Sequence, residues 1–257
     1  MAIFQTPKVD WATEDGVMNI DFNRIEGNIQ YLYDETNKVI GTMLAANVTI
    51  YVSTTGNDTT GTGASNAPFK TINKAISMVP KNLNGFDATI YISNGTYSET
   101  VNITNYYGGT VKLAGPAGSV VISGLIVSYG SRVMVETITL TSNGTLNVIY
   151  DGYFVSTAPV TLANGTYGVY VSSGSVCMFD ANVTINSTTT CGALATTGGR
   201  IHFSGISGSG NRVGLYASQG GLISHGLSSL VATTLSVTET GGRINTGAQT
   251  GGIGGIM

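Results

Sequence analysis

Residues 196–226 read TTGGRIHFSGISGSGNRVGLYASQGGLISHG. Within them Gly198-Gly199-Arg200-Ile201 returns 22 residues later as Gly220-Gly221-Leu222-Ile223, and after 21 more as Gly241-Gly242-Arg243-Ile244. Two glycines and an apolar residue at a fixed period mark a repeat architecture. Working outward, glycines fall at Gly108, Gly130, Gly152, Gly174, Gly198, Gly220 and Gly241, in steps of 22, 22, 22, 24, 22 and 21.

Fixed offsets from these glycines carry fixed chemistry. Three residues after them stand Val111, Val133, Val155, Cys177, Ile201, Ile223 and Ile244. Five and three residues before them stand Leu125 and Val127, Val169 and Val171, Ala193 and Ala195, and Leu215 and Ala217, with Asn147 and Ile149 a half-polar exception. Apolar residues two apart mean strands, whose alternate side chains share a face. Each period therefore reads as a strand, a glycine corner, a second strand and a less regular return. Such units stack as a parallel β-helix of about 22 residues per coil, because one coil cannot bury its apolar face alone. The general handedness of parallel crossovers makes it right-handed. Cys177 becomes a buried small hydrophobe, and His225 falls in line with Leu113, Val135, Phe179 and Phe203 as a partly buried, hydrogen-bonded histidine.

The offset of minus four should face outward. It reads Ile126, Val148, Tyr170, Leu194 and Tyr216, an apolar stripe suited to a partner surface.

Only 10% of the 257 residues are charged, 36 are glycine, and the net charge is −3. That composition suits short strands and turns. It offers no basic field for nucleic acid, and no segment is apolar enough to insert in a membrane. The start MAIFQTPKVDW has neither a basic nor an apolar run, so no signal peptide is expected. Acids concentrate at the N-terminus, with seven among residues 1–38. There, Met18, Phe22, Ile25, Ile29, Leu32, Thr36, Val39 and Met43 alternate steps of four and three, a heptad seam. The seam and the outward stripe together predict a homo-oligomer, and isoleucine in the seam leans toward three strands. Next, VTIYVS reads as a strand, Asn57–Pro68 as a loop, and Ile72, Ala75, Ile76 and Val79 as one face of a short helix stopped by Pro80. A solenoid needs its first coil covered, and this helix is placed to do so.

Two resemblances follow. IYVSTTGND, APFKTINKAI and IYISNGTYSETVNI are similar to the opening of pectin-lyase-like right-handed β-helices. Residues 10–32, DWATEDGVMNIDFNRIEGNIQYL, resemble N-terminal segments of tail-fibre and baseplate-associated proteins of phages and prophages of Gram-positive bacteria. That second resemblance implies a virion or phage-tail-like particle component, made in the host cytoplasm, trimeric, and attached to tail or baseplate proteins through its N-terminus. It assigns Trp11, Asn23, Arg24 and Glu26 to attachment, while the seam itself places Phe22, Ile25, Ile29 and Leu32 in the oligomer interface with the outward stripe.

Many pectin-lyase-like helices cleave polysaccharide, so paired carboxylates matter. Glu136 and Asp180 each lie six residues after a repeat glycine, two coils apart, with Ala158 between them. They are the best pair for a depolymerase, but two solvated carboxylates are the favoured reading, and no catalytic residue is expected. No cofactor or metal site is expected. Tyr106, Tyr107, Tyr129, Tyr150 and Tyr153 gather at the glycine corners and are candidates to stack on host cell-surface glycan. The expected organisation is an attachment and oligomerising segment over 1–45, a leading strand, loop and capping helix over 46–85, and the β-helix shaft over 86–257. The function expected is a structural, receptor-facing fibre or spike, with a tailspike depolymerase as the alternative.

Overall fold

The computed structural model describes residues 23–32 and 43–246. Residues 23–32 form a helix, α1. Its seam residues Ile25, Ile29 and Leu32 are exposed, Ile29 by 61%. The rest of the heptad segment, with Trp11 and Phe22, lies outside the described residues.

From Val48 onward the chain is a parallel β-solenoid of about seven turns. Three ladders run its length. Ladder A joins β1 (Val48–Val52), β2 (Asp87–Ile92), β4 (Thr110–Ala114), β6 (Arg132–Val135), β9 (Tyr153–Ser156) and the openings of β12 (Val176–Asn186), β14 (Arg200–Ala217) and β15 (Leu222–Thr238), then β16 (Arg243–Thr246). Ladder B joins the start of β3 (Gly95–Thr104), the start of β5 (Ser119–Ser128), β7 (Thr139–Ser142), β10 (Val160–Ala163) and the middles of β12, β14 and β15. Ladder C joins the ends of β3 and β5, then β8 (Leu146–Ile149), β11 (Tyr167–Val171), β13 (Cys191–Ala195) and the ends of β14 and β15. The return expected to be irregular is thus a third regular face, ladder B.

Corners between ladders C and A are two-residue turns with both central residues at positive φ: Tyr129-Gly130, Tyr150-Asp151, Ser173-Gly174, Thr197-Gly198, Gln219-Gly220 and Thr240-Gly241. This is the type I′ pattern. It explains the glycine pairs, whose members serve different needs. The first, such as Gly198 at φ 74°, occupies a left-handed position that side chains disfavour. The second, Gly199, packs on the previous coil, where an added Cβ would come within 2.4 Å of the Val171 carbonyl oxygen.

The coil at Gly152 breaks this pattern and corrects the sequence register. Here Asp151, at φ 60°, takes the place that glycine holds in neighbouring turns, and Gly152 stands where Gly199 and Gly221 stand. Everything in that coil shifts by one residue. Phe154, not Val155, pairs between Val133 and Cys177, and the file runs on through Ile201, Ile223 and Ile244. Val155 pairs with Met134 and Met178 on the other face of the strand, covered there to 7% exposure but outside the main core cluster. Leu146 and Val148 are buried in ladder C, so Val148 leaves the outward stripe and Asn147 enters it between Ile126 and Tyr170. The half-polar exception disappears with the same shift.

Interior files are buried and aromatic midway. Phe179 and Phe203 stack with centroids 5.2 Å apart, and Phe154 meets Phe179 at 5.6 Å. His225 follows Phe203 in register, buried, its Nδ1 3.2 Å from the Gly226 carbonyl oxygen. Full burial pushes the Cys177 thiol well above its ordinary pKa and the Cys191 thiol up to about 12. Toward the C-terminal end the files lose apolar volume: Val169, Ala193, Leu215 and Ser236 succeed one another, as do Val171, Ala195, Ala217 and Thr238.

At the other end helix α2 (Ile72–Ser77) buries Ile72, Ala75 and Ile76 over the first coil, as the pattern predicts. Glu99 accepts from Ile72 N (2.7 Å) and Asn73 N (2.9 Å), and Thr71 caps with its hydroxyl. The open edge of ladder C is occupied by side chains. Asn73 accepts from Asn102 N and donates to Thr100 O, and Lys81 Nζ donates to Thr104 O. Side chains on these edge groups blunt it against pairing with another strand. Asp58 ties the preceding loop to the helix by accepting from Lys70 N, Thr71 N and Thr71 Oγ1. Its limited desolvation raises its pKa, but these hydrogen bonds and Lys74 outweigh that and hold it below the ordinary 3.8.

Two expectations follow. Phe154→Ala should lose about 3–5 kcal/mol in urea unfolding, and Val155→Ala about 1 kcal/mol or less; the opposite order would restore the uncorrected register. Because the folded-state pKa of Asp58 is depressed, its contribution is present at neutral pH and is lost as pH falls through the folded value. Asp58→Asn should therefore lower Tm at pH 7, with the difference from wild type shrinking below about pH 3.8.

Candidate functional site

The C–A corner is where the sequence places its exposed aromatics. Each turn hydrogen-bonds to the next: Gly130 N donates to Tyr150 O (3.2 Å), Asp151 N to Ser173 O (3.2 Å), and Gly174 N to Thr197 O (3.2 Å). Turn residues therefore stack along the solenoid at the coil rise, ~4.8 Å. Tyr129 and Tyr150 hold the first position of successive turns, and their rings stack 4.8 Å apart at 16°. They are 56% and 49% exposed, and Tyr107 beside the preceding corner glycine is 57% exposed.

A bulky residue at positive φ costs on the order of 1–2 kcal/mol. Stacking returns about 0.5–1.5 kcal/mol for the one pair, less than the strain of the two positions together, so the ladder keeps a net backbone cost. Asp151 adds another strained position, milder for aspartate.

The remaining tyrosines differ. Tyr106 is 1% exposed, which removes it from any glycan contact. Its hydroxyl donates to Ile76 O at 2.6 Å and Lys81 Nζ lies 3.7 Å from its ring centroid, so it anchors the capping helix. Burial pushes its phenol up to about 12 and lowers the Lys81 amine. Tyr153 is half-buried under the Arg132 guanidinium, 4.2 Å from its centroid, on the outer side of ladder A.

The carboxylates come out one above the other as expected, but Thr157, not Ala158, occupies the intervening coil once the register is corrected. Two coil rises separate Glu136 from Asp180, ~9.6 Å, at or beyond the ~6.5–9.5 Å of an inverting pair. Asp180 is exposed and Glu136 half-buried. Among the described residues no three His, Cys, Asp or Glu side chains gather as a metal site requires. No described helix is long and apolar enough to cross a membrane.

The outward stripe of ladder C is continuous: Ile126, Asn147, Tyr170, Leu194, Tyr216 and Val237 follow in register. Leu194 is buried between neighbours, while Tyr170 and Tyr216 are half-buried, and the Tyr216 hydroxyl donates to Glu239 Oε2 at 2.5 Å. In α1, Asn23 and Glu26 are exposed and Arg24 is half-buried.

A stacked β-solenoid with a helical N-terminal cap and an aromatic corner defines a β-helix protein. The chain belongs to the family described as Protein of unknown function (DUF1565), which matches residues 54–191, more than half of its length. Family and solenoid together fit a pectin-lyase-like β-helix. No curated protein and no solved structure matches the chain.

The two tyrosine classes separate by mutation. Tyr106→Phe should cost about 1 kcal/mol, since it removes the hydroxyl's bond to the Ile76 carbonyl and leaves that oxygen only the Val79 N–H at 3.1 Å, whereas Tyr129→Phe should stay within about 0.5 kcal/mol in the same unfolding experiment.

Proposed function

We propose that this protein is a structural, receptor-facing fibre or spike of a phage tail or phage-tail-like particle. Residues 1–45 attach it to tail or baseplate proteins and hold it as a homotrimer, and the solenoid shaft meets host cell-surface glycan. The observation that carries this reading is the exposed row Ile25, Ile29 and Leu32 on α1, inside the segment that resembles tail-fibre and baseplate-associated proteins. Apolar residues at that spacing on an exposed helix find their natural cover in copies of themselves. The ladder C stripe supplies a second contact along the shaft.

Light scattering on the purified protein tests the assembly. It should give three times the 26.5 kDa chain mass, falling to one chain for Ile25→Lys with Ile29→Lys while the thermal transition of the solenoid persists. A wild-type monomer would remove both the trimer and the attachment role built on it.

A further inference from the structure

The tyrosine ladder stops abruptly. After Tyr129 and Tyr150 the next corner residue is Ser173, then Thr197. Tyr150 therefore has one ring face against Tyr129 and its opposite face turned toward a corner of small residues. At the same step the turn is unusual in a second way. Asp151 holds, at φ 60°, the left-handed position filled by glycine in every other turn from Gly130 to Gly241. Its Oδ1 lies over the next turn, 2.9 Å from where a Cβ on Gly174 would sit. The carboxylate is exposed and takes no hydrogen bond from a described residue. Nothing in the packing explains this choice, since glycine would relieve the strain and keep the backbone bonds. Strain kept without structural return points to use.

We infer that this step is a carbohydrate subsite: a pyranose ring stacks by its C–H face on the open side of Tyr150, and Asp151 accepts hydrogen bonds from a pair of its hydroxyls. Gly174 leaves the space beside the carboxylate open, and Ser173 keeps the floor low. The ligand class follows from the chemistry. An ionised carboxylate accepts from hydroxyls and repels uronate or phosphate, so the sugar is neutral. The subsite rests on the glycan-contact reading above and gives it an address.

The experiment uses the full chain on an immobilised panel of neutral and acidic glycans, with thermal melting in parallel. Wild type should be retained on neutral pyranose glycans and not on uronic-acid or phosphate-bearing ones. Asp151→Gly should raise Tm by about 2–4 °C, by relieving the strained turn, and still lose binding about tenfold. Tyr150→Ser should lose binding with the solenoid transition retained. A better-folded variant that binds worse cannot be explained by damage. If Asp151→Gly and Tyr150→Ser bind as wild type does, or if only acidic glycans are retained, the subsite is overturned while the glycan reading stands. If wild type is retained on no glycan, both fall.

Discussion

The stacking of one corner turn on the next is the constraint from which the rest follows. Each C–A turn reverses the chain in two left-handed residues, and its second N–H donates to the carbonyl of the turn above. That bond fixes where each coil begins. Once the start is fixed, strand alternation decides which side chains point inward, and a slip of one residue would expose a whole face. Glycine recurs at the corner because the backbone there is both left-handed and tightly packed.

Conformity to the repeat builds the shaft, and departures from it locate everything else. Glu99, Asn73 and Lys81 sit where the repeat must end, and they saturate helix and strand groups that have no next coil. Ser236 and Thr238 replace apolar residues in the last described strand of ladder C. Tyr129, Tyr150 and Asp151 depart from it mid-shaft, where no end needs closing. Their backbone cost is borne in the middle of a regular array, which sets them apart from the tyrosine at position 106, wholly absorbed in packing.

Much of the fold was legible because periodicity survives without knowledge of contacts. The Val133, Cys177, Ile201 and Ile223 file, the capping helix and the buried His225 were all readable from spacing. The coil at Gly152 was not, because the glycine count favoured the wrong member of the turn. The warning was present in Asn147 and Ile149, a polar residue at an inward offset, and in the Tyr-Asp-Gly order, where aspartate tolerates the left-handed position. Ladder B was hidden because its strands carry no recurring glycine and vary in length. The aromatic corner was visible as a cluster of tyrosines, but which ones face solvent depended on one-residue register, which composition does not carry.

The register of the Gly152 coil is open to direct measurement by nuclear Overhauser contacts in protein labelled at valine methyls and phenylalanine rings. The account predicts strong contacts from the Phe154 ring to the methyls of Val133, and none from the methyls of Val155 to those of Val133. Contacts between Val133 and Val155, with the Phe154 ring remote from both Val133 and Cys177, would contradict the stacked-turn geometry on which the shaft and its aromatic step both depend.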